Sequence, residues 1–260
     1  MFEKKHGKLW KTLYYLLPVL SIALFIGFWL FAADVLQCGI PSPVQVFERY
    51  LVLLDNPISK VSVLGHIWAS LGRVLKALGY SMLIGIPFGL LIGWNKTFSA
   101  LCKPLFEMIR PIPPIAWIPL ITVWFGVGES SKIIIVFLGA FMPIVVNTYT
   151  GVSMVPGLSI DAGRVFGAKG WTLLKDIILP GSFQAIFAGI RSAISVGWMV
   201  VLAAEMISAR SGLGFLIIRG SDSDDIALTM VSMIIIGLIG AALTYGFDYL
   251  ERRLCPWMDQ

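Results

Sequence analysis

Six long apolar stretches restrict what this chain can fold into. They occupy residues 13–33, 77–94, 111–128, 133–155, 181–208 and 226–247, and five of the six contain no Asp, Glu, Lys or Arg. A helix needs about 20 residues to cross the ~30 Å hydrocarbon core of a membrane, which is close to the length of each stretch. Because a backbone in lipid must satisfy its own hydrogen bonds, we expect an all-α, polytopic membrane protein with six transmembrane helices.

The remaining composition leaves little material for a soluble domain. Of 260 residues, 57% are hydrophobic and only 13% are charged. We therefore expect one membrane domain over residues 13–250, between an N-terminal segment, 1–12, and a C-terminal tail, 251–260. The first stretch is longer than a signal-peptide core and should remain as a membrane anchor. The three scattered cysteines predict neither a disulfide nor a metal site.

The distribution of basic residues predicts the orientation. Cytoplasmic loops of membrane proteins are rich in Lys and Arg. With both termini in the cytoplasm, that side has eleven basic residues and the opposite side has five. Segment 34–62 then lies on the outer, periplasmic side. Four further basic residues lie at or inside the ends of stretches and are expected to snorkel to the headgroups: Arg73, Lys76, Arg110 and Arg191.

Segment 34–62 contains the start of a predicted short helix. Ser42 is a favourable cap, and Pro43 suits the first helical position. The following apolar residues are spaced to form one face of this helix, and they are Val44, Phe47, Tyr50, Leu51 and Leu54. We expect the helix to lie at the outer membrane surface.

Two stretches carry a small residue at every fourth position. The second stretch has Ser81, Gly85, Gly89 and Gly93, and the fifth has Ala185, Gly189, Ala193 and Gly197. Small residues let two helix backbones approach closely in a membrane. We expect helix-to-helix contacts along both stripes, either within one subunit or between two.

Prolines crowd the start of the third stretch. Arg110 is followed by three prolines, Pro111, Pro113 and Pro114. Trp117 comes one turn later. Proline removes amide donors and disfavours helical geometry in the residue before it. Since a broken helix in a membrane needs cover from protein or water, these five residues are candidates for a translocation pathway. The alternative is an ordinary helix start with proline in its first turn.

Glu205 is an acidic residue near the outer end of the fifth stretch. An ionisable group in apolar surroundings needs a partner or water, so Glu205 is a candidate either for the pathway or for a buried anchor between helices. It cannot pair with Arg191 on the same helix, because the two lie about 21 Å apart along the axis. Asn147 and Trp198 complete the set of pathway candidates.

The loop over residues 156–180 is predicted to be cytoplasmic. Gly167 interrupts an amphipathic sequence and Pro180 follows it, so we expect a short helix, a turn and a second helix that the proline stops. The first helix has too few apolar residues to bury itself. Its exposed patch, which suits docking to a partner, would comprise Val165, Phe166 and Ala168. The alternative is a surface helix that rests on the membrane.

This loop resembles the cytoplasmic signature of the permease subunits of binding-protein-dependent ABC importers. That signature is Glu-Ala-Ala, three residues, Gly, nine residues, Ile, one residue and Leu-Pro. The matching positions are Asp161, Ala162, Gly163, Gly167, Ile177, Leu179 and Pro180, with Asp in place of Glu and Gly in place of the second Ala. The resemblance implies that the first helix, which also contains Arg164 and leads into Ala168, is a coupling helix seated in a groove of an ATPase.

Further blocks resemble the branch of this family that imports nitrate, taurine, aliphatic sulfonates and bicarbonate. They are residues 110–120, 124–129 and 198–207, followed by Gly212-Leu213-Gly214. The resemblance implies a type I importer fold and a homodimer in a bacterial inner membrane, assembled with two cytoplasmic ATPase subunits and an external solute-binding protein. ATP and Mg²⁺ would belong to the ATPase, since this sequence has no phosphate loop. No cofactor and no nucleic acid are expected on this chain.

We therefore expect a non-catalytic permease subunit that forms the path for a small anion such as a sulfonate, taurine, nitrate or bicarbonate. The alternative is a secondary transporter or channel that works alone, with Glu205 as a proton or cation site. An intramembrane enzyme is disfavoured because His6 and His66 lie outside the stretches and no cluster of catalytic or metal-ligating residues occurs.

Overall fold

Helices account for nearly all of the chain in the computed structural model, which describes residues 8–36 and 39–254, without the side chains of residues 8–15, 208 and 254. No strand occurs in these residues. The helices are α1 (Lys8–Leu30, continued by a π-helical turn, Phe31–Val35), α2 (Pro43–Asp55), α3 (Val63–Trp94), α4 (Lys96–Ile109), α5 (Ile118–Phe125), α6 (Glu129–Met154), α7 (Gly157–Val165), α8 (Trp171–Leu173), α9 (Leu179–Ser208), α10 (Leu213–Asp222) and α11 (Ile226–Leu254). Most of segment 1–12, most of the tail 251–260, Cys38 and Cys255 lie outside the described residues.

Five helical spans in the described residues are long and apolar enough to cross a membrane. They are Leu16–Val35, Val63–Trp94, Glu129–Met154, Trp171–Ile207 and Ile226–Arg253. A sixth crossing is a bent pair, α4 with Pro114–Phe125, whose two parts meet at 87°. The predicted all-α membrane fold is confirmed, and the number of crossings is six if the bent pair counts as one.

The third stretch, residues 111–128, does not form one continuous helix, as its prolines indicated. Pro114–Trp117 forms a 3-10 turn, and α5 has only eight residues. The missing amide hydrogens of Pro111 and Pro113 prevent α4 from continuing. Pro119 lies in the first turn of α5, as the alternative of a helix start with proline in its first turn expects.

α3 begins at Val63, well before the predicted start at residue 77. Ser62 caps it by accepting a hydrogen bond from the Gly65 amide at 3.1 Å. The predicted stretch began only after the last basic residues, Arg73 and Lys76. The helix extends further because the charge of Arg73 is paired inside the bundle, which a rule that counts charges cannot detect.

α6 lies between α3 and α9 at the centre of the bundle. Both stripes of small residues pack on it, through Gly85 with Ile144, Gly89 with Thr148, Gly93 with Val152, Gly189 with Asn147 and Gly197 with Val136. The predicted helix contacts are confirmed, and they lie within one subunit. The order of the contacts makes α3 parallel and α9 antiparallel to α6. The bundle therefore has an α10 end, where α3 and α6 begin, and an α7 end, where they finish.

α2 begins as predicted, with a capping box between Ser42 and Gln45 and with Pro43 in its first turn. The residues of α2 that are buried against α11 are Val46 and Leu53, which were not assigned to the predicted apolar face. Four of the five residues assigned to that face are exposed: Val44, Phe47, Leu51 and Leu54. Apolar residues occur on more than one side of this helix, and packing on α11 selects the side.

The prediction of a short helix, a turn and a second helix over residues 156–180 is confirmed. The turn contains Gly167 at φ +89° and Gly170 at φ +52°. Pro180 was expected to stop the second helix, but it does not. It lies in the first turn of α9, and a π-helical turn, Leu174–Ile178, joins α8 to α9 in one span. The wider π-helical register accommodates a residue that lacks an amide hydrogen.

Candidate functional site

A buried ion-pair network lies at the α10 end of the bundle. The Arg73 side chain is 3% exposed and donates from Nη1 to Glu205 Oε1 at 2.5 Å. Its Nε and Nη2 atoms donate to the two oxygens of Glu129, each at 2.7 Å. Lys132 Nζ donates to Glu129 at 3.2 Å, so two cations balance two carboxylates. The Glu205 side chain is fully enclosed, whereas that of Glu129 is 60% exposed.

The same network holds the start of α10. Three consecutive backbone amides donate to side chains of α3 and α9: Gly212 to His66 Nδ1 at 3.0 Å, Leu213 to Ser70 Oγ at 2.9 Å and Gly214 to Glu205 Oε2 at 3.0 Å. Arg73 donates to the Ser211 carbonyl at 2.9 Å. The first amides of a helix have no partner within the helix. Here the bundle supplies the partners, and α10 is therefore tied to α3 and α9.

The sequence pointed to Glu205 but not to its partner. Arg73 was expected to snorkel to the headgroups, which is wrong, because its guanidinium is buried between three helices. Two signals could have indicated the pair: the spacing of His66, Ser70 and Arg73 on one face of a helix, and an unpaired acid elsewhere. Among the described residues, no group of three or more His, Cys, Asp or Glu could hold a metal ion.

Arg191 was also expected to snorkel, and its side chain is 48% exposed. It forms ion pairs with two acids of α11, Asp248 at 3.0 Å and Glu251. As expected from their separation, Arg191 and Glu205 do not pair with each other. Arg191 joins α9 to α11 toward the α7 end of the bundle.

The break between α4 and α5 brings several pathway candidates together. A cavity of about 160 Å³ beside the break is lined by Arg110, Pro114 and Trp117, together with Ile112, Leu138, Gly139, Met142, Pro143 and Val196. Pro111 and Pro113 are exposed at the same break. Arg110 is the only charged residue among those that line this cavity.

The three other pathway candidates do not line this cavity. The Asn147 side chain donates to the Pro143 carbonyl at 2.8 Å, one turn back on its own helix. Trp198 is buried, and its ring nitrogen donates to the Ile236 carbonyl at 3.3 Å. Glu205 is enclosed in the network at the α10 end, where its contacts are those of a buried anchor between helices.

The loop at the α7 end combines one anchored side with one exposed side. Gly163 of α7 is buried against Ile177 and Leu173, where a Cβ atom would collide with Ile177. The departure from the signature at this position therefore lets α7 lie close to the following helix. Val165 is 84% exposed and Phe166 is 91% exposed, as predicted. Ala168 is half-buried against an apolar cluster that includes Val155 and Leu173, so its assignment to the exposed patch is wrong.

The turn after α7 has the geometry of a Schellman motif. The Ala168 amide donates to the Gly163 carbonyl at 2.9 Å, and the Gly167 amide donates to the Arg164 carbonyl at 3.0 Å. Gly167 occupies the left-handed position that this motif requires. Arg164 and Asp161 form an exposed ion pair at 3.1 Å. Ala162 and Pro180 are exposed, and Leu179 is half-buried.

Comparison with protein families decides what this architecture is. Residues 85–260 match the family described as "Binding-protein-dependent transport system inner membrane component". The chain belongs to this family. It is accordingly the membrane-spanning permease subunit of an ABC importer, a class of protein that works with ATPase and binding-protein partners.

Individual relatives agree with this assignment along most of the chain. The chain is 37% identical to a putative ABC transporter permease of Methanocaldococcus jannaschii, over 86% of this chain and 92% of the relative. It is 35% identical to the taurine transport permease TauC of Escherichia coli, over 84% of this chain and 80% of the relative. It is 32% identical to the nitrate import permease NrtB of Synechocystis, over 92% of this chain and 89% of the relative.

A solved structure supports the fold independently. The inward-facing MetNI methionine ABC transporter aligns with a TM-score of 0.63 at 18% identity, over 72% of this chain and 93% of that chain. This chain therefore has the type I importer fold that the resemblance of its sequence implied.

Proposed function

We propose that the permease acts as one half of a homodimer that two ATPase subunits drive from the cytoplasm and that an external binding protein supplies with solute. In this arrangement the α7 end and both termini lie in the cytoplasm, in agreement with the distribution of basic residues. ATP and Mg²⁺ are then bound by the ATPase, and this chain carries out no chemistry itself. The membrane-spanning helices contact lipid and the second subunit.

The exposed aromatic and aliphatic surface after α7 is the observation that carries this proposal. Phe166 and Val165 are both more than four-fifths exposed, and Trp171 on the next helix is 74% exposed. Exposed apolar groups at the polar end of a membrane protein mark a surface that a partner covers. Gly163 packs α7 on the bundle, so force applied at Phe166 is transmitted to the helix that continues into α9.

The proposed substrate is a small oxyanion or sulfonate. Relatives that transport taurine and nitrate share about a third of their residues with this chain. Bicarbonate belongs to the same group by the resemblance of the sequence blocks. The substrate proposal rests on these similarities and is separate from the role of α7.

The test of the ATPase contact is a pair of matched substitutions. Phe166→Asp places a charge on the proposed contact, whereas Phe125→Asp places the same charge on an exposed position at the α10 end. Loss of a central aromatic contact costs about 2 kcal/mol or more, which is roughly a 30-fold loss of affinity. We expect Phe166→Asp to lose the co-purifying ATPase and Phe125→Asp to retain it. Equal recovery of the ATPase with both variants would contradict the proposal.

A further inference from the structure

α4 carries a stripe of charged residues that takes no part in the ion-pair network at the α10 end. Lys103, Glu107 and Arg110 follow one another at intervals of four and three residues, so they share one face of α4. Arg110 Nη1 donates to Glu107 at 3.1 Å. The Tyr149 hydroxyl of α6 donates to Glu107 at 2.7 Å, and Lys103 Nζ lies 5.1 Å from the centre of the Tyr149 ring.

Arg110 lies near the middle of the bundle rather than at one end. It borders a cavity whose α6 residues fall between Leu138 and Pro143. At 1.5 Å per residue, these positions are about 14–21 Å from the start of α6 at Glu129 and about 17–24 Å from its end at Met154. An exposed charge at this depth cannot face hydrocarbon without a large cost. Arg110 is 45% exposed and Glu107 is 39% exposed, so this face must meet water or protein.

From this placement we infer that Arg110 is a binding site for a small oxyanion or sulfonate within the permease, and that Lys103 is the next site along the same path. This inference rests on the proposed import function and adds that the permease itself selects for negative charge. The stripe has two cations and one acid. Only Nη1 of the planar guanidinium bonds to Glu107, which leaves the Nε and Nη2 side of the fork for an oxygen pair of the anion.

The surroundings of Arg110 suit brief binding rather than tight capture. The rest of the cavity wall is apolar, and the cavity volume of about 160 Å³ accommodates an ion as small as nitrate or taurine. Glu107 competes with the anion for the guanidinium, which weakens binding enough to allow release. Lys103 is seven residues away, about 10 Å along α4 toward the α7 end. An anion that leaves Arg110 therefore meets a second cation on its way inward.

The test measures the electrostatic potential beside Arg110 with two thiol reagents of opposite charge. The cysteines Cys38, Cys102 and Cys255 are first replaced by Ser, and Ile112→Cys then provides one thiol at the cavity. The permease–ATPase complex is reconstituted in lipid. The rates of modification by an anionic sulfonate-bearing methanethiosulfonate and by its cationic trimethylammonium analogue are measured, and their ratio is taken.

We expect the Ile112→Cys thiol to react with both reagents and to favour the anionic one. A unit charge about 6 Å away in water changes each rate about threefold in opposite directions, so adding Arg110→Gln should lower the ratio about tenfold. Arg110→Lys should largely preserve the ratio. Lys96→Gln is the matched control, because it removes a charge from α4 about 21 Å away, beyond the ~10 Å screening length at 0.1 M salt.

Three results would overturn the inference. If the Ile112→Cys thiol reacts with neither reagent, the break faces lipid or the second subunit. If it reacts but the ratio is the same with Arg110→Gln, the path does not select for negative charge. Nitrate or taurine added in millimolar amounts should slow the anionic reagent, and an absence of protection by either would also count against the site. Failure of ATP-driven uptake by the unsubstituted complex would instead contradict the proposed function.

Discussion

Removal of Arg73 should destabilise the bundle far more than removal of an exposed arginine. Arg73 is the cation that contacts Glu205, whose side chain is fully enclosed. Arg73→Gln keeps a polar group but leaves the carboxylate with only the Ser70 hydroxyl and the Gly214 amide as donors. Breaking a buried ion pair by removing one partner costs about 3–5 kcal/mol, because a charge stays buried without compensation.

The matched control is the same substitution at an exposed pair. Arg164 lies 3.1 Å from Asp161, and the two side chains are 60% and 70% exposed. Such pairs contribute about 0–1 kcal/mol. A change of 1 kcal/mol shifts Tm by about 2–4 °C in a protein of this size. Arg73→Gln should therefore lower Tm by roughly 6 °C or more, and Arg164→Gln by a few degrees at most.

The assay is thermal unfolding of the purified permease in detergent, followed by tryptophan fluorescence, for both single variants and for Arg73→Gln combined with Glu205→Gln. The double variant removes both charges, so it should be less destabilised than the sum of the two single variants, with a coupling energy of about 1–3 kcal/mol. The reasoning is refuted if Arg73→Gln melts within 2 °C of the unsubstituted protein, or if the two substitutions are additive.

Two pairs of glycine substitutions test the turn after α7 and the α3–α6 contact. Gly167→Ala introduces a side chain at φ +89°, which should lower the free energy of unfolding by about 1–2 kcal/mol and reduce coupled ATP hydrolysis. Gly157→Ala, at the other end of α7, meets nothing within 4 Å and should change neither the stability nor the ATP hydrolysis. Unchanged ATP hydrolysis with Gly167→Ala would show that the turn is not needed for coupling. Gly89→Ala places a Cβ 2.7 Å from Thr148 Cβ and should lower stability by about 1–3 kcal/mol, whereas Gly79→Ala has open space and should leave Tm unchanged or raise it. Equal melting of these two variants would remove the packing argument for the stripe.

Much of the architecture follows from properties that act within a short length of chain. The apolar stretches require helices in lipid, because the backbone there has no other hydrogen-bond partners. Pro111 and Pro113 break the third crossing through their missing amide hydrogens. Gly167 ends α7 because it accepts a left-handed conformation. Each of these effects is determined by neighbouring residues, and each could be predicted correctly from the sequence.

The errors over Arg73, α2 and α10 concern contacts between distant parts of the chain. Arg73 and Glu205 are separated by 132 positions, and a burial rule applied to either one alone cannot find the other. The buried side of α2 depends on where α11 lies, and α10 depends on side chains that α3 and α9 supply.

Local chemistry thus sets where helices can form and where they must break. The choice of partner for each charge and each apolar face is a property of the assembled bundle, because it depends on which side chains meet when the helices pack.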